Sequence, residues 1–261
     1  MDDVNKTLYI PLYGKAYVSQ KGILLDDKKA EEIWAAEGFP LKGKSKSKWL
    51  AYYMGMRSAV FDQWVRKILS ERSGVVVVHV GCGLDSRCCR VGTTGQLWYD
   101  VDFADVIEER KRYYAEDSDY HMLAGDVRVS DWLKHIPKTK EVIVVMEGVS
   151  MYLTFEEMKL FMTNLDAYFE RISLLMDCYT VFAAKMTKYR NPINDVGVTQ
   201  VYGIGDPLSL QCGSLHFFKE HSMTPTYLID ALRGGDKMIF KKLYAGHLSK
   251  KLYRLYEFKK N

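Results

Sequence analysis

The chain has 261 residues, of which 48% are hydrophobic and 27% charged, and its formal net charge is +4. That is ample apolar material for a core without disulfide staples. No apolar run reaches the ~20 residues of a membrane span. The densest basic stretch, Lys42-Gly-Lys-Ser-Lys-Ser-Lys48, has no interleaved aromatic residues for stacking on bases, and it reads as a solvated loop rather than a nucleic-acid surface. The cysteines (Cys82, Cys88, Cys89, Cys178, Cys212) have no Cys-x-x-Cys spacing and read as small buried thiols of a reducing cytoplasm, with neither a disulfide framework nor a metal site.

Residues 1–40 read as an N-terminal cover with one helical stretch, Asp26 to Glu37. From Trp49 to Ser70, apolar residues such as Leu50, Tyr53, Met54, Phe61, Trp64, Val65 and Ile68 recur three and four apart, which predicts an amphipathic helix. Arg57 interrupts that stripe on the face of Tyr53 and Phe61. A guanidinium there needs an anion, from a structural carboxylate or a ligand, or a route to water.

Val75-Val-Val-Val-His-Val80, bounded by Ser73-Gly74, has the pattern of a strand buried on both faces, with His79 as a core histidine. It ends in Gly81-Cys-Gly83, a turn that lets the backbone approach a ligand, although Ser86 stands where a dinucleotide fingerprint has its third glycine. A second strand, Gln96 to Asp102, ends in an acid about twenty residues past the turn, where nucleotide-binding folds hold ribose hydroxyls. A charged helix, Asp105 to Tyr114, precedes a third strand, His121 to Asp126. The fourth runs from Glu141 to Glu147. Thr154 and Glu157 form a capping box for a core helix reaching Arg171, and Ile172 to Asp177 is a fifth strand.

The rhythm breaks from Lys185 to Phe218, an irregular stretch of the kind that covers an active site, so residues 185–235 are expected to form a substrate lid. That span ends in a short helix from Thr224 to Leu232. Lys237 to Tyr244 and Leu252 to Phe258 then predict a closing hairpin. Alternating strands and helices imply right-handed crossovers, a mostly parallel sheet, and ligands at the carboxyl ends of its strands.

Acids stand at four of those ends: Asp85, Asp102, Asp126 and Glu147. Ionised carboxylates accept hydrogen bonds and repel anions, so their ligand offers donors and positive charge and lacks phosphates. S-adenosylmethionine meets that description through its ribose hydroxyls, adenine amine, ammonium and sulfonium, while its carboxylate suits Arg57. A nicotinamide dinucleotide would press its pyrophosphate against Asp85, which makes an oxidoreductase the weaker alternative. A cofactor-binding module without catalysis is another.

Val80-Gly-Cys-Gly-Leu-Asp-Ser-Arg87, Trp98-Tyr-Asp-Val-Asp-Phe103 with Val106-Ile-Glu-Glu-Arg110, Ala124-Gly-Asp-Val-Arg128 and Glu147-Gly-Val-Ser-Met-Tyr-Leu153 resemble, in order and spacing, the motifs of the leucine carboxyl methyltransferase-like family. Leu12-Tyr-Gly-Lys-Ala16 and Arg57-Ser-Ala-Val-Phe-Asp62 resemble its N-terminal motifs. The family includes polyketide O-methyltransferases of the tetracenomycin type. The resemblance implies a single domain with the Rossmann-like class I methyltransferase fold: a mostly parallel seven-stranded sheet, helices on both faces, the last strand antiparallel, a helical cover over residues 1–70 and the lid after the fifth strand. It implies S-adenosylmethionine as methyl donor, S-adenosylhomocysteine as product, and no metal. Gly81 and Gly83 would border the methionine moiety, Asp102 hold the ribose, and Asp126 and Val127 meet the adenine. Arg57 and Lys15 would bind the cofactor carboxylate, with Glu147 near its amine and the transfer site.

The implied acceptor is a carboxylate or hydroxyl oxygen of a small molecule, polyketide-like compounds included. A protein C-terminal carboxylate is the alternative, disfavoured because the sequence departs from the protein-methylating members after Asp177. In-line displacement rests on positioning, and a hydroxyl acceptor benefits from a base, for which Tyr152, Tyr202 and His216 are the candidates. The expected partner is a small molecule, with neither nucleic acid nor membrane, for a cytoplasmic monomer or homodimer.

Overall fold

The valine strand Val76–Val80 (β1) is the centre of a seven-stranded sheet in the computed structural model, which describes residues 8–36, 41, 43–92, 95–138, 141–187 and 200–261. The other strands are β2 (Trp98–Asp102), β3 (Tyr120–Ala124), β4 (Glu141–Met146), β5 (Arg171–Tyr179), β6 (His216–His221) and β7 (Tyr253–Lys260), in the order β3-β2-β1-β4-β5-β7-β6. β1 to β5 run parallel, and β7 is antiparallel to both its neighbours. β1 is a continuous apolar run because both of its faces are covered. Val75 and Val77 enter one core, and Val76, Val78 and Val80 enter the other.

The helices are α1 (Tyr9–Gln20), α2 (Lys28–Ala36), α3 (Lys48–Glu71), α4 (Arg87–Val91), α5 (Ala104–Arg110), α6 (Phe155–Tyr168), α7 (Val181–Met186), α8 (Thr226–Asp230), α9 (Gly234–Leu243) and α10 (His247–Leu252). Ala16 of α1, Ile33 of α2, Phe61 and Val65 of α3 and Phe240 of α9 share the core of Val77. Met158, Phe161 and Leu165 of α6 share the opposite core. α6 has the capping box foreseen from Thr154 and Glu157. Ser47 caps α3, closing the part of the lysine-rich loop that lies within the described residues. No helix among the described residues is long and apolar enough to cross a membrane.

Two expectations change at the carboxyl-terminal end. Lys237 to Tyr244 is helical, not a strand: Phe240 alone is buried in α9, packed on the rings of Tyr52 and Tyr53, while acidic Asp236 opens the helix and Lys241 and Lys242 close it, as the helix dipole favours. The partner of β7 is instead β6, drawn from the span expected to be lid, because Phe217 packs against Tyr256 and Phe258. Within that span the stretch from Val201 to Ile204 is tied to the sheet's carboxyl end: Tyr202 N donates to Met151 O (2.8 Å) and Ile204 N to Tyr179 O (2.8 Å). Residues 188–199 of the expected lid lie outside the described residues. Cys82, Cys88 and Cys178 are buried as anticipated, whereas Cys89, at the solvent side of α4, is exposed and Cys212 is half-buried.

Thr154→Ala removes the hydroxyl that accepts from Glu157 N, and should lower stability by about 1 kcal/mol. Urea denaturation tests this: a lower midpoint at unchanged slope is expected, and an unchanged midpoint contradicts the role of the cap.

Candidate active site

β1 delivers the chain into its turn with Gly81 at φ 64° and Gly83 at φ 51°, a region that favours glycine. A Cβ on Gly81 would lie 2.0 Å from Val149 Cγ2, so the turn and the loop after β4 meet only because that position is bare. Gly83 N–H donates to Asp102 Oδ2 (2.8 Å), tying the turn to the end of β2. Asp102 also accepts from Phe103 N–H (2.8 Å). Burial outweighs both bonds and pushes the Asp102 carboxyl up to about 6.

Between these strand ends and α1 and α3 lies a cavity of about 320 Å³. Lys15, Arg57, Gly81, Gly83, Asp85, Asp102, Asp126, Val127 and Glu147 all line it, and so does Tyr152. Tyr202 does not line it; its hydroxyl accepts from Gln200 Nε2 (2.8 Å) beside the chain segment that holds Met151. His216 is removed from it altogether. It is exposed at the start of edge strand β6, in register with Lys259, which pairs in turn with Ser173 near the amino end of β5. The cavity lies at the opposite end of those strands.

Behind the cavity the acids and bases form one buried network. Arg57 donates from Nε to Glu147 Oε1 (3.0 Å) and from Nη1 to Asp177 Oδ2 (2.8 Å) and Tyr253 Oη (3.1 Å). Arg87 bonds Asp62 (2.8 Å) and Glu147, and stands 3.3 Å from Asp85. Arg90 joins Asp27, Asp62 and Asp85, and Lys15 Nζ lies 3.0 Å from Asp85 Oδ2. Burial by itself raises a carboxyl. At Glu147 it is overcome by Arg87, Arg57 and Lys15, which hold it at about 2, and at Asp85 by Arg90, Lys15 and Arg87, which hold it well below the usual range. Asp177, with Glu147 nearby and one arginine, stays raised by burial. His79 is kept neutral by burial and by Arg87; Nε2 faces Arg87 Nη1 at 3.1 Å and accepts, which leaves the proton on Nδ1, 3.4 Å from Asp100.

Asp126 is half-buried at the end of the β3 turn, and its carboxylate is held by Arg128 through Nε (2.9 Å) and Nη2 (2.6 Å). Buried Val127 beside it gives the cavity an apolar wall. The pattern is one of acceptors and apolar surface, with three cations, Lys15, Arg57 and Arg128, each already paired with an acid.

A family model described as leucine carboxyl methyltransferase matches residues 6–166. The chain belongs to the leucine carboxyl methyltransferase family. Among the relatives of this family member is the tetracenomycin polyketide synthesis O-methyltransferase of Streptomyces glaucescens, 29% identical over 233 residues, covering 87% of this chain and 86% of that one. An S-adenosyl-L-methionine-dependent methyltransferase of Gibberella zeae is 30% identical over 123 residues, 44% of this chain and 41% of that protein. The fold of the magnesium protoporphyrin IX methyltransferase from Synechocystis PCC 6803, solved with SAH bound, superimposes with a TM-score of 0.53 at 14% identity, over 100% of both chains. The family member is thus a methyltransferase with the class I sheet.

Sequence reasoning missed the other half of the network. Asp177 stands one residue past Met176 in β5, as Glu147 does past its register partner Met146 in β4, and an acid closing the predicted fifth strand was the available signal. Asp62 follows Ser58 by one helical turn, on the side of α3 that meets Glu147 and Arg87, and only its place among apolar residues marks it as buried. Tyr253 comes from the last strand, and no local pattern brings it to Arg57.

Arg57→Met leaves Glu147 and Asp177 without their shared guanidinium and should destabilise the fold by about 3–5 kcal/mol. Guanidinium denaturation of the variant reads this directly; a loss under about 1 kcal/mol would mean the arginine is not the clamp described.

Proposed function

We propose that the chain is an S-adenosylmethionine-dependent O-methyltransferase acting on a small molecule whose acceptor oxygen is a carboxylate or an acidic hydroxyl, polyketide-like acids and phenols included. One observation carries the reading: a single cavity gathers Arg57, Asp102, Asp126 and Glu147 around the bare Gly81 turn. The donor set fits the cofactor, because the strand ends offer carboxylate acceptors and no loop built to cradle phosphates. Asp102 would accept from the ribose hydroxyls, with Asp126 at the adenine amine and Val127 against the ring. The methionine carboxylate would meet Lys15 and Arg57, whose Nη2 takes no part in the bonds to Glu147, Asp177 and Tyr253. Glu147 would face the ammonium.

When bound, S-adenosylmethionine supplies an electrophilic methyl group on a sulfonium. The chain's own contribution is to hold an oxygen in line with that methyl and to keep water out. Leu50 and Met54 from α3, with Met151, Tyr152, Tyr179 and Tyr253, give the rest of the cavity an apolar and aromatic wall. Asp102, at about 6, is assigned to the ribose, and the two carboxyl groups beside Arg57 are poorly suited to take a proton from the acceptor. Glu147, at about 2, is too weak a base, and Asp177 is buried with its oxygens on Gly148 N–H and Arg57. His79 is engaged by Arg87. An acceptor that ionises by itself needs none of them, and Tyr152 then serves to position it. The reading extends to a monomer or homodimer, and to a cytoplasmic enzyme acting without nucleic acid, for which the cysteine usage and the mild charge are the support.

Calorimetric titration tests the assignment. S-adenosylhomocysteine should bind in the micromolar range and NAD should not. Asp102→Asn, which keeps an acceptor for Gly83 but loses the charge, should weaken the nucleoside about tenfold, the worth of a charge-assisted hydrogen bond. Absence of nucleoside binding would remove the assignment.

Because Asp102 sits at about 6 in the free protein and the ribose prefers its ionised form, affinity should be flat above neutrality. It should fall as pH drops through 6, by up to about tenfold per unit. A pH-independent affinity between 5 and 8 would exclude Asp102 as the ribose partner.

A further inference from the structure

α9 and α10 turn one side to the cavity wall and the other to solvent. Inward, Phe240 packs on Tyr52 and Tyr53, and Ser249 Oγ shares a 2.5 Å hydrogen bond with Tyr53 Oη, one residue from Met54 of the cavity. Outward, Met238 is 69% exposed, Leu243 55%, Leu248 47% and Leu252 46%. Phe182 of neighbouring α7 adds 56%. Thr180 fastens α7 to α10, donating from N to Leu252 O (3.1 Å) and from Oγ1 to Lys251 O (2.6 Å). Phe182 of α7 and Leu248 and Leu252 of α10 stand on helices packed against each other, and exposed apolar residues gathered in this way mark an interaction surface.

Between α7 and α10 lies a shallow cleft of about 310 Å³, lined by Lys250, Lys251 and Arg254 together with Phe182 and Tyr256. Lys250 and Lys251 have no carboxylate within ion-pair distance among the described residues. Arg254 gives Nη1 to the Glu220 carboxylate (2.8 and 2.9 Å), while its Nε is buried and makes no hydrogen bond among the described residues. From Gly234 to Leu252 there are five lysines and one aspartate, a net +4 that equals the formal charge of the whole chain.

We propose that this face docks on the surface of an anionic lipid bilayer. Lys250, Lys251 and Arg254 take a lipid phosphate in the cleft, and Phe182, Leu248 and Leu252 around it enter the interface. Lysines interspersed with large apolar side chains on short amphipathic helices are the composition of an interfacial element. The sign of the charge argues against a second copy of the chain, since two such faces would bring like charges together. No spanning helix is required. If the methyltransferase reading holds, the docked enzyme has only one helical layer between the bilayer and its apolar acceptor wall.

Cosedimentation of the full chain with phosphatidylcholine vesicles, with and without phosphatidylserine, tests the proposal. The expected result is binding to the anionic vesicles only, lost at high salt. Lys250→Ala with Lys251→Ala should lower the partition coefficient about thirtyfold, and Phe182→Ser with Leu248→Ser should lower it independently. Both double variants alter exposed side chains and should leave S-adenosylhomocysteine affinity unchanged. No binding to anionic vesicles overturns the proposal, as does equal binding to neutral ones. Saturable binding of inorganic pyrophosphate without vesicle binding would assign the cleft to a soluble anion. A concentration-dependent dimer without vesicle binding would give the face to a second copy. Either result also overturns it.

Discussion

The site depends on the mutual neutralisation of charges that the fold takes out of water. Lys15, Arg57, Arg87 and Arg90 are interleaved with Asp27, Asp62, Asp85, Glu147 and Asp177, and the network joins α1, α3, α4, the Gly81 turn and the ends of β4 and β5. Each charge costs several kcal/mol to desolvate alone, and the attraction of its partners offsets this only while the geometry is kept. Such a network adds little net stability over an apolar core, yet loss of one member is expensive. It therefore fixes positions: the strand ends, the turn and the N-terminal helices can move only together.

That fixing separates two kinds of acid in one cavity. Glu147 and Asp85 are held ionised by arginine and lysine and act as rigid acceptors. Asp102 has backbone donors but no cation among its hydrogen-bond partners, and burial raises it to about 6, so that hydroxyl donors would favour its ionised form. A ligand that brings hydroxyls and a cation completes the arrangement, whereas one that brings phosphates disturbs it. The family match and the methyltransferase relatives agree with that electrostatic reading.

Much of this was legible in the chain because it follows local rules. The valine run named the central strand, the glycine turn named the end of the sheet where the cavity lies, and the acids at four strand ends named part of its lining, all brought together by the sheet order. Arg57 was recognised as needing an anion, but its partners Asp177 and Tyr253 come from strands far along the chain and escaped notice. The last third was read least well. Lys237 to Tyr244 carries strand-like residues whose helix is decided by Phe240 docking on α3, and His216 looked chemical until the register of β6 placed it at the wrong end of the sheet. Those outcomes are tertiary, and a window of ten residues does not contain them.

A crystal structure of the complex with S-adenosylhomocysteine tests the central claim most directly. The account predicts ribose hydroxyls on Asp102 and the methionine carboxylate within hydrogen-bond reach of Arg57, with the guanidinium still bonded to Glu147 and Asp177. A nucleoside bound elsewhere, or an Arg57 swung away from both acids to meet it, would contradict the claim that a rigid network of paired charges presets the site.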